Sequence, residues 1–306
     1  MTKPYKLTIL GYPVKNSSEI KHCFELLTYG LQQEFSKLSH IDLSIYKIEN
    51  PHSIPRDIPQ SDFILATSWG SFFRDKPSIE IIRSKCKKFA SFLEIAEPCD
   101  FSFNFIEQLN GHGITKHLTI PAPYTPELYP HEIKEPKTIL VDHLDTILID
   151  KKIPENKWGN LDLTKSIYKW LEPLKDEYKI YAFYNKWHPE TLSFIPLYIT
   201  PIALTKFGDY IKFTSKIEQH IVSANETYSY TVLDMLIMGT KILTPLGFLP
   251  KYQIDRFQIP TFINQTELLN EIKKPINLEI LNKNTEKCTP MNKVVKIIDA
   301  KFQELL

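Results

Sequence analysis

Residues 223–245 read SANETYSYTVLDMLIMGTKILTP, and the order of elements in and around them decides the fold class. Residues 221–223 carry the signal of a short strand, 230–238 read as a helix, Gly239 breaks it, and 241–244 form a second strand-like step. A strand, a helix and a strand in succession build a parallel sheet, because parallel neighbours need a crossover to return the chain. The alternation runs outward in both directions. Upstream, strands are expected at 138–141 and 180–183, with a helix at 163–171 between them. Downstream, residues 291–306 place Val294, Val295, Ile298 and Phe302 on one face and read as a closing amphipathic helix.

The first half repeats the pattern. Strands are expected at 6–10, 43–48, 63–67 and 92–96, and helices at 79–89 and at 17–35, where Ile20, Phe24, Leu27 and Leu31 share a face. Between the halves lies IPAPYTPELYPHEIKEP, residues 120–136, with Pro121, Pro123, Pro126, Pro130 and Pro136, too many for a helix or a central strand. It reads as an interdomain linker. The expected organisation is therefore one α/β domain over 1–125, a second over 137–288, and a helix over 289–306 that packs back on the first. In doubly wound sheets ligands sit beyond the carboxyl ends of the strands, so a cleft between the halves is the expected site.

Composition narrows the function classes. A chain of 306 residues with 42% hydrophobic and 24% charged residues is globular and fits two domains. Its 37 basic residues nearly cancel 36 acidic ones, so a DNA-coating surface is not demanded by charge. Cys23, Cys86, Cys99 and Cys288 form no CxxC pair, which argues against a zinc ribbon or disulfide scaffold and for reduced thiols in a cytoplasm. The start lacks the pattern of a signal peptide, and no apolar run approaches a membrane span. A monomer with no membrane contact is expected. No GxGxxG occurs, which disfavours a dinucleotide-dependent dehydrogenase.

Glu226 and Asp234 stand eight positions apart, followed by Gly239 and the strand at 241–244. This resembles the nucleotide-sugar half of GT-B glycosyltransferases, in which an acid, seven residues and a second acid precede a small-residue turn and a short strand. The resemblance implies two Rossmann-like α/β domains, a UDP-sugar donor, and a donor site drawn from Glu226, Tyr228, Ser229, Tyr230, Thr231 and Asp234. Asp234 would accept from the ribose hydroxyls, although Asp in place of the more usual Glu is shorter by one methylene. The helix starting near Tyr230 adds free N–H groups and a positive dipole end suited to a diphosphate. The rival reading is an amphipathic helix whose Asp234 faces water.

Three N-terminal stretches resemble one branch, the bacteriophage DNA β-glucosyltransferases that modify 5-hydroxymethylcytosine. They are NSSEIKHCFELLTYGL, with Ser17, Ser18 and Glu19; SDFILATSWGSFFRDKPSIEI, with Phe72, Phe73, Lys76 and Pro77; and FLEIAEP, where an acid follows a buried strand. RFQIPTFINQTELL resembles a late strand and helix of the same family. The resemblance implies Glu19 near the donor sugar and the acid after the fourth strand as general base. Glu94 and Glu97 both lie in that window and Asp100 follows; Glu94, at the strand end, is favoured to take the proton of an acceptor hydroxyl. For Glu19 the rival is a helix-start charge behind a Ser17 cap. Trp69, Phe72, Arg74, Lys76, Arg83, Lys87 and Lys88 are expected to face double-stranded DNA, cations on phosphates and rings beside an unstacked base. Their rival is a solvated helix face over an aromatic core.

One departure stands out. The resemblance implies basic residues gripping the diphosphate just after the first strand of the second half, but VDHLDTILIDKKIPENKWGN contains no arginine. Lys151, Lys152 and Lys157 would act only as point charges. His143 between Asp142 and Asp145 lacks ligand spacing, so no resident metal is expected, while Mg or Mn accompanying the donor stays open. The expected activity is transfer of glucose, or a pentose such as arabinose, from a UDP-sugar to 5-hydroxymethylcytosine in phage DNA. Two alternatives stand beside it: a GT-B enzyme acting on a polysaccharide or lipid, and a two-domain binding protein without turnover.

Overall fold

The computed structural model describes residues 2–21, 23–48, 57–67, 76–92, 99–104, 117–142, 161–184, 189–203, 206–223 and 230–306. The chain divides into two compact units, Met1–Pro126 with Thr289–Leu306, and Glu127–Cys288. The N-terminal unit runs β1 (Tyr5–Gly11), α1 (Cys23–Phe35), β2 (Ile41–Lys47), β3 (Ser61–Ala66), α2 (Lys76–Lys85), β4 (Cys86–Phe92), β5 (Phe101–Asn104), β6 (His117–Thr119) and the short β7 (Pro123–Tyr124). Strands β1 to β6 form a parallel sheet in the order β2-β1-β3-β4-β5-β6. Leu7, Ile9 and Leu10 on β1 and Phe63, Ile64, Leu65 and Ala66 on β3 are all buried, the near-continuous apolar run that a sheet covered on both faces requires. Gly11 closes β1 because a side chain there would run into Thr67 Oγ1 and lie 2.6 Å from Thr28 Oγ1.

Three local expectations need correction. The stretch expected as a helix from residue 17 is a 3-10 turn at Ser17–Glu19 followed by α1 from Cys23. Asn16, not Ser17, caps that turn, its side chain accepting from the Ser18 amide. The helix expected over 79–89 ends at Lys85, and the chain enters β4 at Cys86 with no loop; the apolar residues Phe89, Ala90 and Phe92 belong to a central strand. Short apolar runs do not by themselves distinguish the two periodicities.

The C-terminal unit runs β8 (Glu135–Val141), α3 (Leu161–Trp170), β9 (Lys179–Tyr184), β10 (Thr200–Ala203), α4 (Phe207–Thr214), β11 (Ile217–Ile221), α5 (Tyr230–Ile237), β12 (Lys241–Pro245), α6 (Lys251–Phe257), β13 (Thr261–Phe262), α7 (Gln265–Lys273) and α8 (Leu278–Lys287). Its sheet is parallel in the order β10-β9-β8-β11-β12-β13, the doubly wound order that reverses between the first and fourth strands. Gly239, with φ of 68°, ends α5 in the left-handed conformation that costs glycine least, and the Thr240 amide donates back to the Met235 carbonyl at 2.9 Å. The proline-rich stretch is only partly a linker. Pro136 already lies in β8, where a proline near a strand start forfeits a single donor, and Tyr129 is buried.

The chain then re-enters the N-terminal unit through β14 (Thr289–Pro290), parallel to β7, and ends in α9 (Met291–Leu305). Asp299 on α9 accepts from the Tyr5 hydroxyl at 2.8 Å and lies 3.0 Å from His40 Nε2. Phe302 is fully buried and stacks on Phe63 with ring centroids 4.2 Å apart. Both units are thus α/β with parallel sheets, the two Rossmann-like halves of the GT-B architecture. No helix among the described residues is long and apolar enough to cross a membrane. Removing the Phe302 ring should cost about 3 to 5 kcal/mol, the range for deleting a buried aromatic side chain. Urea unfolding of Phe302→Ala, beside Ile297→Ala on the exposed face of the same helix, checks this; only the first should lose stability heavily.

Candidate functional site

Where the strand order of the C-terminal unit reverses, Asp142 follows β8 directly and Ser223 follows β11 by one residue. Both stand at carboxyl ends, where doubly wound sheets bind ligands. His220 Nε2 lies 2.6 Å from Asp142 Oδ1. The Ser223 amide donates to Asp142 Oδ2 and the Ser223 hydroxyl to the Asp142 carbonyl, each at 3.4 Å. Thr164 on α3 donates to the Ser223 carbonyl at 3.5 Å. Asp142, His220 and Ser223 are all buried. Sequence reasoning missed this group. Its signal was a histidine inside a central strand, at a position where burial without a partner is costly.

Asp234 lies on the second turn of α5 and is 4% exposed. Tyr129 donates to its Oδ1 at 2.6 Å. Burial pushes its carboxyl up to about 7, against the opposing effect of the hydrogen bond from Tyr129. Tyr210, on α4, has a buried hydroxyl, which is raised well above the ordinary phenol range, first by burial and then by the charge of Asp234. Thr231 lies against the same hydroxyl. Asp234 therefore has protein partners already, which neither a water-facing carboxylate nor an open ribose acceptor has. Further along the same N-terminal segment of the unit, Lys134 donates to Thr240 Oγ1 at 2.8 Å, and burial pushes its amine down to about 8.

Of the remaining sequence-derived site residues, Glu226, Tyr228 and Ser229 in the donor group, Glu94 and Glu97 as general bases, and Trp69, Phe72 and Arg74 in the acceptor group lie outside the described residues, as does His143. Tyr230 opens α5 and Lys76 opens α2. Glu19 is exposed, and its carboxylate accepts from the Lys15 amide at 3.1 Å and from Asn16 Nδ2 at 3.0 Å, the pattern of a turn-stabilising acid. Asp100 pairs with Arg83 and accepts from the Phe89 amide at 2.8 Å, so it braces β4.

The expected basic face also needs correction. Arg83 is on α2 but Lys87 and Lys88 are on β4, where consecutive side chains point to opposite faces. Arg83 is engaged by Asp100, and Lys87 by Asp62 at 2.6 Å. Lys87 and Lys88 also sit at the amino end of β4, away from the carboxyl ends where the ligand is expected.

Cys86, Cys99 and Cys288 are free thiols, and burial pushes Cys86 up to about 11 and Cys288 up to about 12. Among the described residues no group of three or more His, Cys, Asp or Glu side chains could hold a metal ion. A cavity of about 190 Å³ lined by Leu236, Phe257, Ile280 and Leu281 opens beside Thr240 and Lys241, at the amino end of β12 and so at the wrong end of the sheet for the chemistry.

By sequence, no family profile matches the chain, and no curated protein matches it. By structure, it is similar to AviGT4, a glycosyltransferase involved in avilamycin A biosynthesis, with a TM-score of 0.65 and 11% identity over 99% of this chain and 98% of that one. It is similar to Anabaena HepE in complex with UDP and glucose, with a TM-score of 0.61 and 8% identity over 99% of this chain and 100% of that one. UDP-GlcNAc 2-epimerase from Neisseria meningitidis bound to UDP-GlcNAc gives a TM-score of 0.58 and 10% identity over 98% of this chain and 100% of that one. At such identities the likeness establishes the fold.

The raised carboxyl of Asp234 has a consequence for stability. A buried acid with a raised value favours the protonated state, so the fold is most stable below the unfolded value near 4 and loses stability as pH climbs toward about 7. Asp234→Asn keeps an acceptor for Tyr129 and cannot ionise. Thermal unfolding from pH 5 to pH 8 should show a smaller decline in Tm for the variant than for the wild type, and a higher Tm at pH 8.

Proposed function

We propose that this protein is a UDP-sugar-dependent glycosyltransferase whose donor site lies at the strand-order reversal of the C-terminal unit. The observation that carries the reading is the placement of α5. Its amino end follows β11 by a short segment containing Glu226, Tyr228 and Ser229, and β11 adjoins β8 at the point where doubly wound sheets take ligands. The positive dipole end of a helix suits a diphosphate. The chain's likeness to AviGT4, a glycosyltransferase, and to HepE holding UDP and glucose supports the same reading.

The chemistry is a displacement at the anomeric carbon. An acceptor hydroxyl attacks as it gives its proton to a carboxylate, Glu94 first and Glu97 second, while the sugar–phosphate bond breaks and the departing diphosphate is stabilised by helix amides, lysines or an accompanying divalent ion. Glu226, Tyr228, Ser229, Tyr230 and Thr231 are assigned to the donor, and Asp234 holds α5 through its hydrogen bond with Tyr129. The finer proposal, transfer to the hydroxymethyl group of 5-hydroxymethylcytosine in DNA, is supported by the N-terminal resemblance and by Trp69, Phe72, Arg74 and Lys76. It draws no support from Arg83 and Lys87, which are engaged by acids of their own sheet.

Incubation with a panel of nucleotide sugars, beside hydroxymethylated and unmodified DNA, tests donor and acceptor together. The expected result is UDP release from one UDP-sugar that rises with hydroxymethylated duplex. Calorimetry showing no affinity for UDP or any UDP-sugar would overturn the transferase reading, and a UDP-sugar epimerised with its UDP retained would replace it. Glu94→Gln should slow transfer by about a hundredfold or more while leaving UDP affinity nearly unchanged, as loss of a general base does. Full activity in that variant moves the role to Glu97.

A further inference from the structure

We propose that Asp142 is a positioning residue of the donor site, fixing the backbone at Ser223 where β11 hands over to the segment that opens α5. This rests on the donor reading above. The last paired residues of the two central strands are Val141 and Ile221. Beyond them the Asp142 amide donates to the Ile221 carbonyl at 3.2 Å, and the Asp142 side chain carries the connection further. One carboxylate oxygen meets His220 Nε2 at 2.6 Å, and the other accepts from the Ser223 amide at 3.4 Å. The Ser223 hydroxyl returns to the Asp142 carbonyl, so the two chain ends are tied in both directions.

His220 orients this tie. Its ring is fully buried, and its Nδ1 has no hydrogen-bond partner among the described residues, so its polar contact is directed at Asp142. A buried polar pair is weak evidence for stability, since apolar side chains of similar volume often serve as well. What the pair supplies is a fixed place for one oxygen and hence for the amide that meets the other. From Ser223 only residues 224–229 separate this anchor from Tyr230, the first residue of α5. Helix amides select a diphosphate only when their position is held closely, about 0.5 Å for a working site, and anchoring one end of so short a segment restricts where α5 can begin.

The test compares Asp142→Asn, His220→Leu and His220→Gln, the last keeping an N–H near the Nε2 position. In Asp142→Asn one carboxylate oxygen is replaced by an amide nitrogen, and the side chain can no longer accept from both partners. Expected for Asp142→Asn and His220→Leu is a rise of about tenfold in KM for the UDP-sugar with kcat within about twofold, the size of losing one hydrogen bond to a charged group, while His220→Gln stays near the wild type. Hydrogen exchange read without nucleotide should show the Ser223 amide protected in the wild type and exchanging about tenfold faster in Asp142→Asn. Unchanged KM and exchange in a folded Asp142→Asn, or a loss confined to kcat, would overturn the proposal. Should Asp142→Asn not fold, an unprotected Ser223 amide in the wild type, or equal KM in the two His220 variants, overturns it. A wild type that binds no nucleotide sinks the donor reading instead, and the exchange measurement still reads the tie itself.

Discussion

Hydrogen bonding between β8 and β11 is the constraint on which the C-terminal unit depends. Its registers, Leu140 with His220 and Val141 with Ile221, place the first strand beside the fourth. Every neighbour in a parallel sheet requires a crossover, so the chain winds outward through β9 and β10 and must then return past β8 to lay down β11, β12 and β13 on the other side. Two windings that part company leave the carboxyl ends of the central strands open to a ligand. Asp142 and Ser223 occupy that position because of where the strands end.

The polar groups withdrawn from water in the C-terminal unit follow one logic. Each costs free energy when taken out of water and is retained with a partner: Asp142 with His220, Asp234 with Tyr129, Lys134 with Thr240. At Asp234 burial outweighs the hydrogen bond from Tyr129, and the carboxyl moves toward neutrality. Surface pairs such as Lys37 with Glu34 or Lys283 with Glu279 are a different class, solvent-screened and worth little. The buried ones also give the segment after Pro126 fixed attachments: Tyr129 is bound to α5, and Lys134 to the residue ahead of β12.

Charge in the N-terminal unit is neutralised locally. Arg83 lies against the Phe89 ring and pairs with an acid just ahead of β5, while Lys87 pairs with one on β3. A run of cations close in sequence crosses from a helix into a strand, and the change of periodicity scatters them. The aromatic residues instead make the unit's own core, where Phe63, Phe103 and Phe302 meet and the last helix is held to the first strand through Tyr5 and Asp299. Structures sharing about a tenth of their residues can have one fold because such burial patterns tolerate many substitutions.

The sequence by itself determined the fold class. Apolar runs of strand length alternating with amphipathic helices admit few arrangements other than parallel α/β layers, and the prolines of residues 121–136 locate the region where the units divide. The helix at Tyr230–Ile237 and the strand at Lys241–Pro245 were legible because their periodicity and the glycine between them are local properties. Tertiary structure alone decided the partners. Nothing in the spacing of Asp142 and His220, 78 positions apart, or of Tyr129 and Asp234, 105 apart, says that they touch. Those contacts exist because strand order in a parallel sheet is set by crossovers, and crossovers join residues that the linear chain keeps far apart.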